Sequence, residues 1–266
     1  MAQPITKAIV PAAGLGTRLL PATKSQPKEM LPVGRKPVIQ YVVEELQSAG
    51  MGQILIVTGR RKRAIEDHFD SDPQLVTALK QAGNEALLAD LAYLRSRARL
   101  YYTRQSSPQG LGHAVSLGGD FVSGEDCVVA LGDSIIAAER PALVLRQMIK
   151  AHQSLKAAAT VAVEPVPEHE THRYGIISIN GTKPQSGEAL PATDIVENPA
   201  PTSALHRTLG LPSGQSVFRL STGTMPSRLA PRHCGHSAPF MAVFAGCSGS
   251  SAGVAAAHSP SGTAIT

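Results

Sequence analysis

Short apolar runs alternate with helical patterns over the first 165 residues of the chain. The apolar runs predict strands at 8–10, 54–57, 100–103, 127–131 and 160–163, with two more at 176–179 and 194–196. The run at 127–131 is apolar throughout, which is typical of a strand buried on both faces. This alternation predicts an α/β fold, with a Rossmann-like, mostly parallel sheet and helices on both faces.

The helical patterns lie between these runs, and the one after Pro37 is the clearest. Pro37 sits where a helix can start, Gly50 can cap its end, and acidic and amide side chains occupy the opposite face. The apolar face consists of Val38, Ile39, Val42, Val43 and Leu46. A short helix is predicted through Glu66 and Phe69, and further helices at 73–96 and 142–151. The basic run 60–63 is interpreted as a solvated helix start that could also reach a phosphate.

The carboxyl ends of the predicted strands define where a ligand should bind. In open parallel sheets, ligands lie beyond these ends. Three connections belong to this edge: the loop after Val10, the segment after Thr103 and the turn after Leu131. Pro11 is expected to break the first strand at the start of this loop.

The last 66 residues have a different composition from the rest. From Pro201 onward there is no Asp, Glu or Lys, and more than half of the residues are Ser, Ala, Gly or Pro. Only 217–220 and 240–244 have strand character. We therefore expect a domain at 1–200, incomplete at its C-terminal end, and an atypical, poorly ordered tail at 201–266. A disordered tail, a divergent module and a frame-shifted reading each explain this composition.

Composition excludes several functional classes. The chain is 42% hydrophobic and 17% charged, which suits a soluble globular protein. Three cysteines without a CxxC pair favour a reducing compartment, and neither a signal peptide nor a membrane span is evident, so a cytoplasmic protein is expected. The net charge of +5 comes mostly from four arginines after residue 200, and only 4% of residues are aromatic. Nucleic-acid binding is therefore not expected.

The most informative segment is the loop that follows the first predicted strand. It contains Gly14 and Gly16, then Thr17 and Arg18, then Lys24 and Lys28, and no acid precedes Glu29. Glycines let backbone N–H groups approach an oxygen, and the cations add full charges. The residues therefore predict a nucleoside triphosphate site. A Walker A phosphate loop does not fit, because no Gly-Lys-Ser/Thr follows at the right distance. A dinucleotide fingerprint does not fit either, because position 19 is Leu.

The run GLGTR, PATK and PKEMLPV resembles the signature of the sugar-1-phosphate nucleotidyltransferases, most closely the UTP–glucose-1-phosphate uridylyltransferase branch. The resemblance extends over about residues 5–199 and implies a nucleotide-diphospho-sugar transferase fold. It implies that Arg18 and Lys28 are catalytic, holding the triphosphate and the developing pyrophosphate charge. The nucleotide-binding residues that it implies are Ala13, Gly14, Gly16, Thr17, Gln105 and Gly110.

Two further segments carry the resemblance. Asp133 ends the apolar VVALGD strand without a basic neighbour in sequence, and the family places its Mg²⁺ ligand there. Gly175, Glu197 and Asn198 match sugar-binding elements of the family. The family usually has lysine where this chain has Asn198, and an amide cannot neutralise a phosphate. A second family aspartate has no counterpart. His113 is interpreted as structural.

The resemblance implies a Mg²⁺-dependent transfer between UTP and glucose 1-phosphate, in which the sugar phosphate attacks the α-phosphorus in line and pyrophosphate leaves. It also allows a homo-oligomer. Two alternatives stay open. One is a thymidylyl- or adenylyltransferase with the same loop, and the other is a non-catalytic nucleotide-binding remnant.

Overall fold

The computed structural model describes residues 3–95, 98–136, 140–165, 175–179, 189–197, 217–220, 241–244 and 263–265. The helices are α1 Val38–Ser48, α2 Arg63–Phe69, α3 Pro73–Gln81, α4 Glu85–Asp90, α5 Leu111–Ser116, α6 Gly119–Val122 and α7 Leu143–Leu155. The strands are β1 Lys7–Ala12, β2 Pro32–Val33, β3 Lys36–Pro37, β4 Gln53–Thr58, β5 Arg99–Arg104, β6 Cys127–Ala130, β7 Ala159–Val161, β8 Val163–Pro165, β9 Gly175–Ile179, β10 Leu190–Glu197, β11 Val217–Leu220, β12 Met241–Phe244 and β13 Thr263–Ile265.

Four parallel strands form the part of the sheet that positions the site, in the order β5–β4–β1–β6. The predicted α/β architecture with a parallel sheet is confirmed. Beyond β6 the sheet continues through β12, β7, β13, β10, β9, β11 and β8, and here all pairs are antiparallel except β7 with β13. The alternation of strands and helices in the sequence therefore specifies the parallel part.

Both faces of the parallel strands are covered, because alternate residues along each strand point to opposite sides. Ala8 and Val10 of β1 pack with the buried faces of α1 and α7 and with Ile65 of α2. Ile9, on the other face, packs with Ala114 of α5 and with α6. The five residues predicted for the buried face of α1 are all buried.

The prediction that β1 breaks at Pro11 is wrong. Pro11 is an interior residue of β1, opposite Val57 of β4. The β1–β6 register ends at Ile9 and Val129, so the amide hydrogen that proline lacks is not needed for this ladder. The Pro11 carbonyl still accepts from the backbone N–H of Gly132, at 3.2 Å.

The helical segment predicted at 73–96 is divided into α3, α4 and a final 3-10 turn, Ala92–Arg95. Gly83 adopts a positive φ of 65°, and the Asn84 side chain then accepts from the backbone N–H of Leu87. Asp72 caps α3 in the same way through Leu75. Asx caps favour a new helix start over continuation, which accounts for the division.

Two strands lie where the last part of the sequence has strand character. β11 and β12 match the segments 217–220 and 240–244, whereas β13 has no counterpart in the sequence prediction. Most of 201–266 lies outside the described residues, so the expectation of an atypical tail and the 1–200 boundary stay predictions. Among the helices that the structure describes, none has the length and apolar character needed to cross a membrane.

Candidate active site

Four connections meet at the carboxyl edge of the parallel strands. They are the β1 loop (residues 13–31), the β4 turn (59–62), the β5 turn (105–110) and the β6 turn (131–134). Because β5, β4, β1 and β6 run parallel, these connections follow the same ends of adjacent strands. Candidate site residues from three separate sequence segments, the β1 loop, the β5 turn and the β6 turn, therefore lie along one edge.

The β1 loop has three short 3-10 turns, Thr17–Leu19, Ala22–Lys24 and Lys28–Met30. Gly16 precedes the first turn at φ 70°, and its carbonyl accepts from the Thr23 hydroxyl at 2.6 Å. Ala13 is buried, whereas Gly14, Thr17 and Arg18 are exposed. Gly14, Thr17 and the Arg18 cation are therefore available at the surface of this edge.

Lys28 and Asp133 form an ion pair across the site. Nζ of Lys28 donates to Oδ2 of Asp133 at 2.5 Å, although the residues are 105 positions apart in sequence. Their side chains are 20% and 14% exposed, so this edge is only partly solvated. A Cβ placed on Gly14 would lie 3.5 Å from Nζ of Lys28, so the ammonium also lies against the glycine loop. Asp133 lacks a basic neighbour in sequence but has one in space.

The next residue, Glu29, forms a second pair that the sequence reasoning missed. Oε2 of Glu29 accepts from Nζ of Lys62 at 2.6 Å, and both side chains are almost fully buried. Burial raises the pKa of the Glu29 carboxyl, and Lys62 opposes part of that rise. Among the described residues, Oε1 of Glu29 is buried without a hydrogen-bond partner. The interpretation of 60–63 as a solvated run is therefore wrong for Lys62.

The β4 turn contacts the β1 loop at a second point. A Cβ at Gly59 would lie only 2.9 Å from the Ala13 carbonyl oxygen, so a larger residue would displace one of the two backbones. Gly59 thus supports the start of the loop, and Lys62 holds the segment at Glu29. The sequence contains a signal for a buried acid at this position. Glu29 is the first acid of the chain and is followed by the apolar residues Met30 and Leu31.

The β5 turn brings Gln105 and Gly110 together, and their shared role at the base stays a prediction. Gln105 is 5% exposed, and its backbone N–H donates to the Thr58 carbonyl at 2.8 Å. Its amide Nε2 lies 3.2 Å from the Gly110 carbonyl oxygen and 2.8 Å from Nδ1 of His113. The sequence gives no sign of this histidine contact, because it depends on the turn that reverses the chain before α5.

Two of the predicted sugar-binding residues lie on neighbouring strands. Gly175 of β9 and Glu197 of β10 are opposite each other in the antiparallel register. Asn198 lies outside the described residues. The backbone pairing thus brings together two residues that are 22 positions apart in the numbering, although their role stays a prediction.

The residues around Asp133 can be tested as a Mg²⁺ site. In the described ranges there is no group of three or more His, Cys, Asp or Glu side chains that could enclose a metal ion. Mg²⁺ does not need such a cage, since one or two carboxylates with phosphate oxygens and water suffice. Asp133 beside the cationic β1 loop fits a site of that open kind. Lys28 then shares the carboxylate with any incoming cation.

The arrangement suits a polyphosphate ester. A partly buried ammonium, an exposed guanidinium and loop N–H groups can bind phosphate oxygens, and a neutral amide lies one strand beyond β4. The site residues named above supply cations, backbone N–H groups, an amide and a carboxylate. Such a set of groups can position two anionic reactants and neutralise their charge.

Comparison with known proteins agrees with these features. The Nucleotidyl transferase family profile matches residues 7–219. A UTP–glucose-1-phosphate uridylyltransferase of Bacillus subtilis (strain 168) is 50% identical over 173 residues, which is 65% of this chain and 58% of the relative. A second uridylyltransferase of that strain is 44% identical over 204 residues, or 77% of this chain and 67% of the relative.

A solved structure extends the similarity to the fold. The UTP-bound UGPase of Acinetobacter baumannii superimposes with a TM-score of 0.71 at 35% sequence identity. The alignment covers 85% of this chain and 75% of that one. This chain therefore spans 58% of the length of the first relative and three quarters of the length of the solved one.

Proposed function

The chain belongs to the nucleotidyl transferase family, and we propose that it transfers the uridylyl group of UTP to glucose 1-phosphate, which yields UDP-glucose and pyrophosphate. The matching relatives carry this activity in their names, and one solved relative is described as UTP-bound. The observation that carries the proposal is the pairing of Lys28 with Asp133 beside the glycine loop. A cation and an anion side by side at this edge support a site for a triphosphate and its metal.

The reaction needs positioning and neutralisation of charge. A phosphate oxygen of glucose 1-phosphate forms a bond to the α-phosphorus of UTP, and the bond from that phosphorus to the β-phosphate bridging oxygen breaks. The nucleophile is already an anion, so no general base is required. Lys28 and Arg18 would hold the triphosphate and the negative charge that moves onto the leaving pyrophosphate.

The metal and the acceptor complete the proposed site. Asp133 would hold Mg²⁺, which when bound neutralises phosphate charge and fixes the orientation of the phosphate oxygens. Gln105 and Gly110 would contact the base, and Ala13, Gly14, Gly16 and Thr17 the nucleotide. Gly175 and Glu197, which pair across β9 and β10, would contact the sugar together with Asn198.

The test is pyrophosphate release from purified protein with Mg²⁺ and glucose 1-phosphate, compared across UTP, dTTP and ATP. We expect the fastest release with UTP. Faster release with dTTP or ATP would instead indicate a thymidylyl- or adenylyltransferase. UTP-dependent thermal stabilisation without pyrophosphate release would indicate a nucleotide-binding remnant, the reading favoured by Asn198 and by the missing second family aspartate.

A further inference from the structure

The hydrogen bonds of Gln105 fix which way its side-chain amide faces. Nε2 lies within hydrogen-bond distance of two atoms, the Gly110 carbonyl oxygen at 3.2 Å and Nδ1 of His113 at 2.8 Å. A backbone carbonyl can only accept, so the amide must present its NH₂ group to Gly110. An exchanged amide would instead place two acceptors against each other.

This orientation decides the role of Nδ1 of His113 in the contact. The second hydrogen on Nε2 points to Nδ1, which must therefore accept through its lone pair. Both donors of the Gln105 amide are used within the chain, and the hydrogen-bonding atom that remains for a ligand is the acceptor Oε1.

The backbone of the β5 turn makes this geometry possible. Gly110 has φ 90° and ψ 176°, a conformation that residues with a side chain rarely adopt, although a Cβ there would meet open space. Glycine is thus needed at position 110 for the backbone conformation of the turn and not to avoid a steric clash. It directs the Gly110 carbonyl back to Gln105 and precedes α5, which carries His113.

We propose that His113 is a positioning residue that sets base specificity by holding the Gln105 amide with Oε1 as the acceptor that faces the base. The inference rests on the proposed function and deepens it. N3 of uracil carries a hydrogen, whereas N3 of cytosine carries a lone pair and no hydrogen. A fixed acceptor at Oε1 accepts a hydrogen bond from the N3–H of uracil and repels the N3 lone pair of cytosine. The site therefore selects a base with a protonated N3.

Two substitutions separate this role from a merely structural one. His113→Leu removes the acceptor, so that the amide is held at one point and can turn an N–H toward the N3 of cytosine. His113→Asn is the matched control, because the Asn side-chain oxygen can occupy a position similar to that of Nδ1 and still accept. Thermal unfolding of both variants, compared with the parent, establishes that they are folded.

The measurement is the dissociation constant of UTP and of CTP by calorimetry, together with pyrophosphate release from each. We expect the preference for UTP over CTP to fall on the order of tenfold in His113→Leu and to be largely retained in His113→Asn. A preference that is the same in parent and His113→Leu, or two affinities that fall equally, would overturn the role of His113.

The two readouts keep this inference separate from the function on which it rests. If the preference in binding changes as expected but no pyrophosphate is released by the parent, the proposed transfer fails and the positioning role stands. If pyrophosphate is released with an unchanged preference, the transfer stands and the positioning role fails. A parent that binds neither triphosphate overturns both.

Discussion

The β1 loop and the β5 turn lie at the same edge of the sheet but use different interactions. The β1 loop depends on ions: Lys28 pairs with Asp133, and Glu29 pairs with the buried Lys62. The β5 turn depends on neutral dipoles, with the Gln105 amide between a carbonyl and an imidazole. Charge attracts the phosphates that all nucleoside triphosphates share, whereas directed dipoles distinguish one base from another. We therefore expect affinity from the first region and selectivity from the second.

The largest effect is expected from Asp133→Asn, which removes the proposed metal ligand from the ionic region. Pyrophosphate release should fall on the order of 100-fold or more, because phosphate charge is no longer neutralised by a held cation. UTP binding without Mg²⁺ should persist or tighten, since Lys28 loses its partner and is free to bind phosphate. Steady-state turnover and metal-free calorimetry measure the two quantities.

Asp120→Asn is the control for this variant, because Asp120 is an exposed carboxylate outside the proposed site. It should leave both quantities unchanged. Near-normal turnover in Asp133→Asn would remove the metal role from this residue.

The next largest effect is expected from Lys62→Met, which leaves the Glu29 carboxyl buried without its partner. The free energy of unfolding should decrease by about 3–5 kcal/mol at neutral pH, and by less in acid, where Glu29 can be protonated. Urea denaturation at two pH values measures this change. The preference for UTP over CTP should not change, because the β5 turn is untouched.

Arg60→Met is the matched control, since Arg60 is an exposed cation of the same turn. A Lys62→Met protein as stable as Arg60→Met would mean that the pair does not hold the loop. Adding Glu29→Gln to Lys62→Met should restore part of the lost stability, because a neutral amide is less costly to bury than a lone carboxylate.

A smaller effect is expected from Arg18→Ala, at the exposed end of the ionic region. The KM for UTP and for CTP should each rise about tenfold, because a charge-assisted contact to phosphate is lost and phosphates are common to both. Initial-rate kinetics with the two nucleotides measure the ratio directly. A rise for UTP alone would place Arg18 at the base and contradict the division between the two regions.

The smallest effect is expected outside both regions, at Glu45 on α1. Burial raises the pKa of this carboxyl from 4.5 to about 7, so the folded protein holds this proton more tightly than the unfolded chain. The resulting stabilisation is present below about pH 4.5 and is lost as the pH rises through about 7. Glu45→Gln should therefore raise the unfolding midpoint by a few degrees at pH 8 and hardly at pH 5.

Thermal unfolding across this pH range checks the Glu45 prediction, and nucleotide binding serves as its internal control. An equal shift at both pH values would show that titration of Glu45 is not the cause. A change in UTP affinity would show that α1 is coupled to the site.

The sequence by itself determined the parallel strands, the buried face of α1 and the content of the β1 loop. These features follow from local patterns: side chains that are neighbours in sequence repeat with the period of a strand or helix, and glycines and cations mark a loop. The same patterns gave the edge at which Gln105 and Asp133 lie, because parallel strands end on one side. The prediction of a strand break at Pro11 was wrong, because a strand can continue where the N–H that proline lacks would face no partner.

Only the tertiary structure decided which of these residues meet. Lys28 reaches Asp133 over 105 positions because β1 lies beside β6, and Lys62 reaches Glu29 because β4 lies on the other side of β1. The order of strands is set by packing of the whole core rather than by any local pattern. The same holds for the direction of the Gln105 amide, which is fixed by a carbonyl and an imidazole that the turn at Gly110 brings into contact.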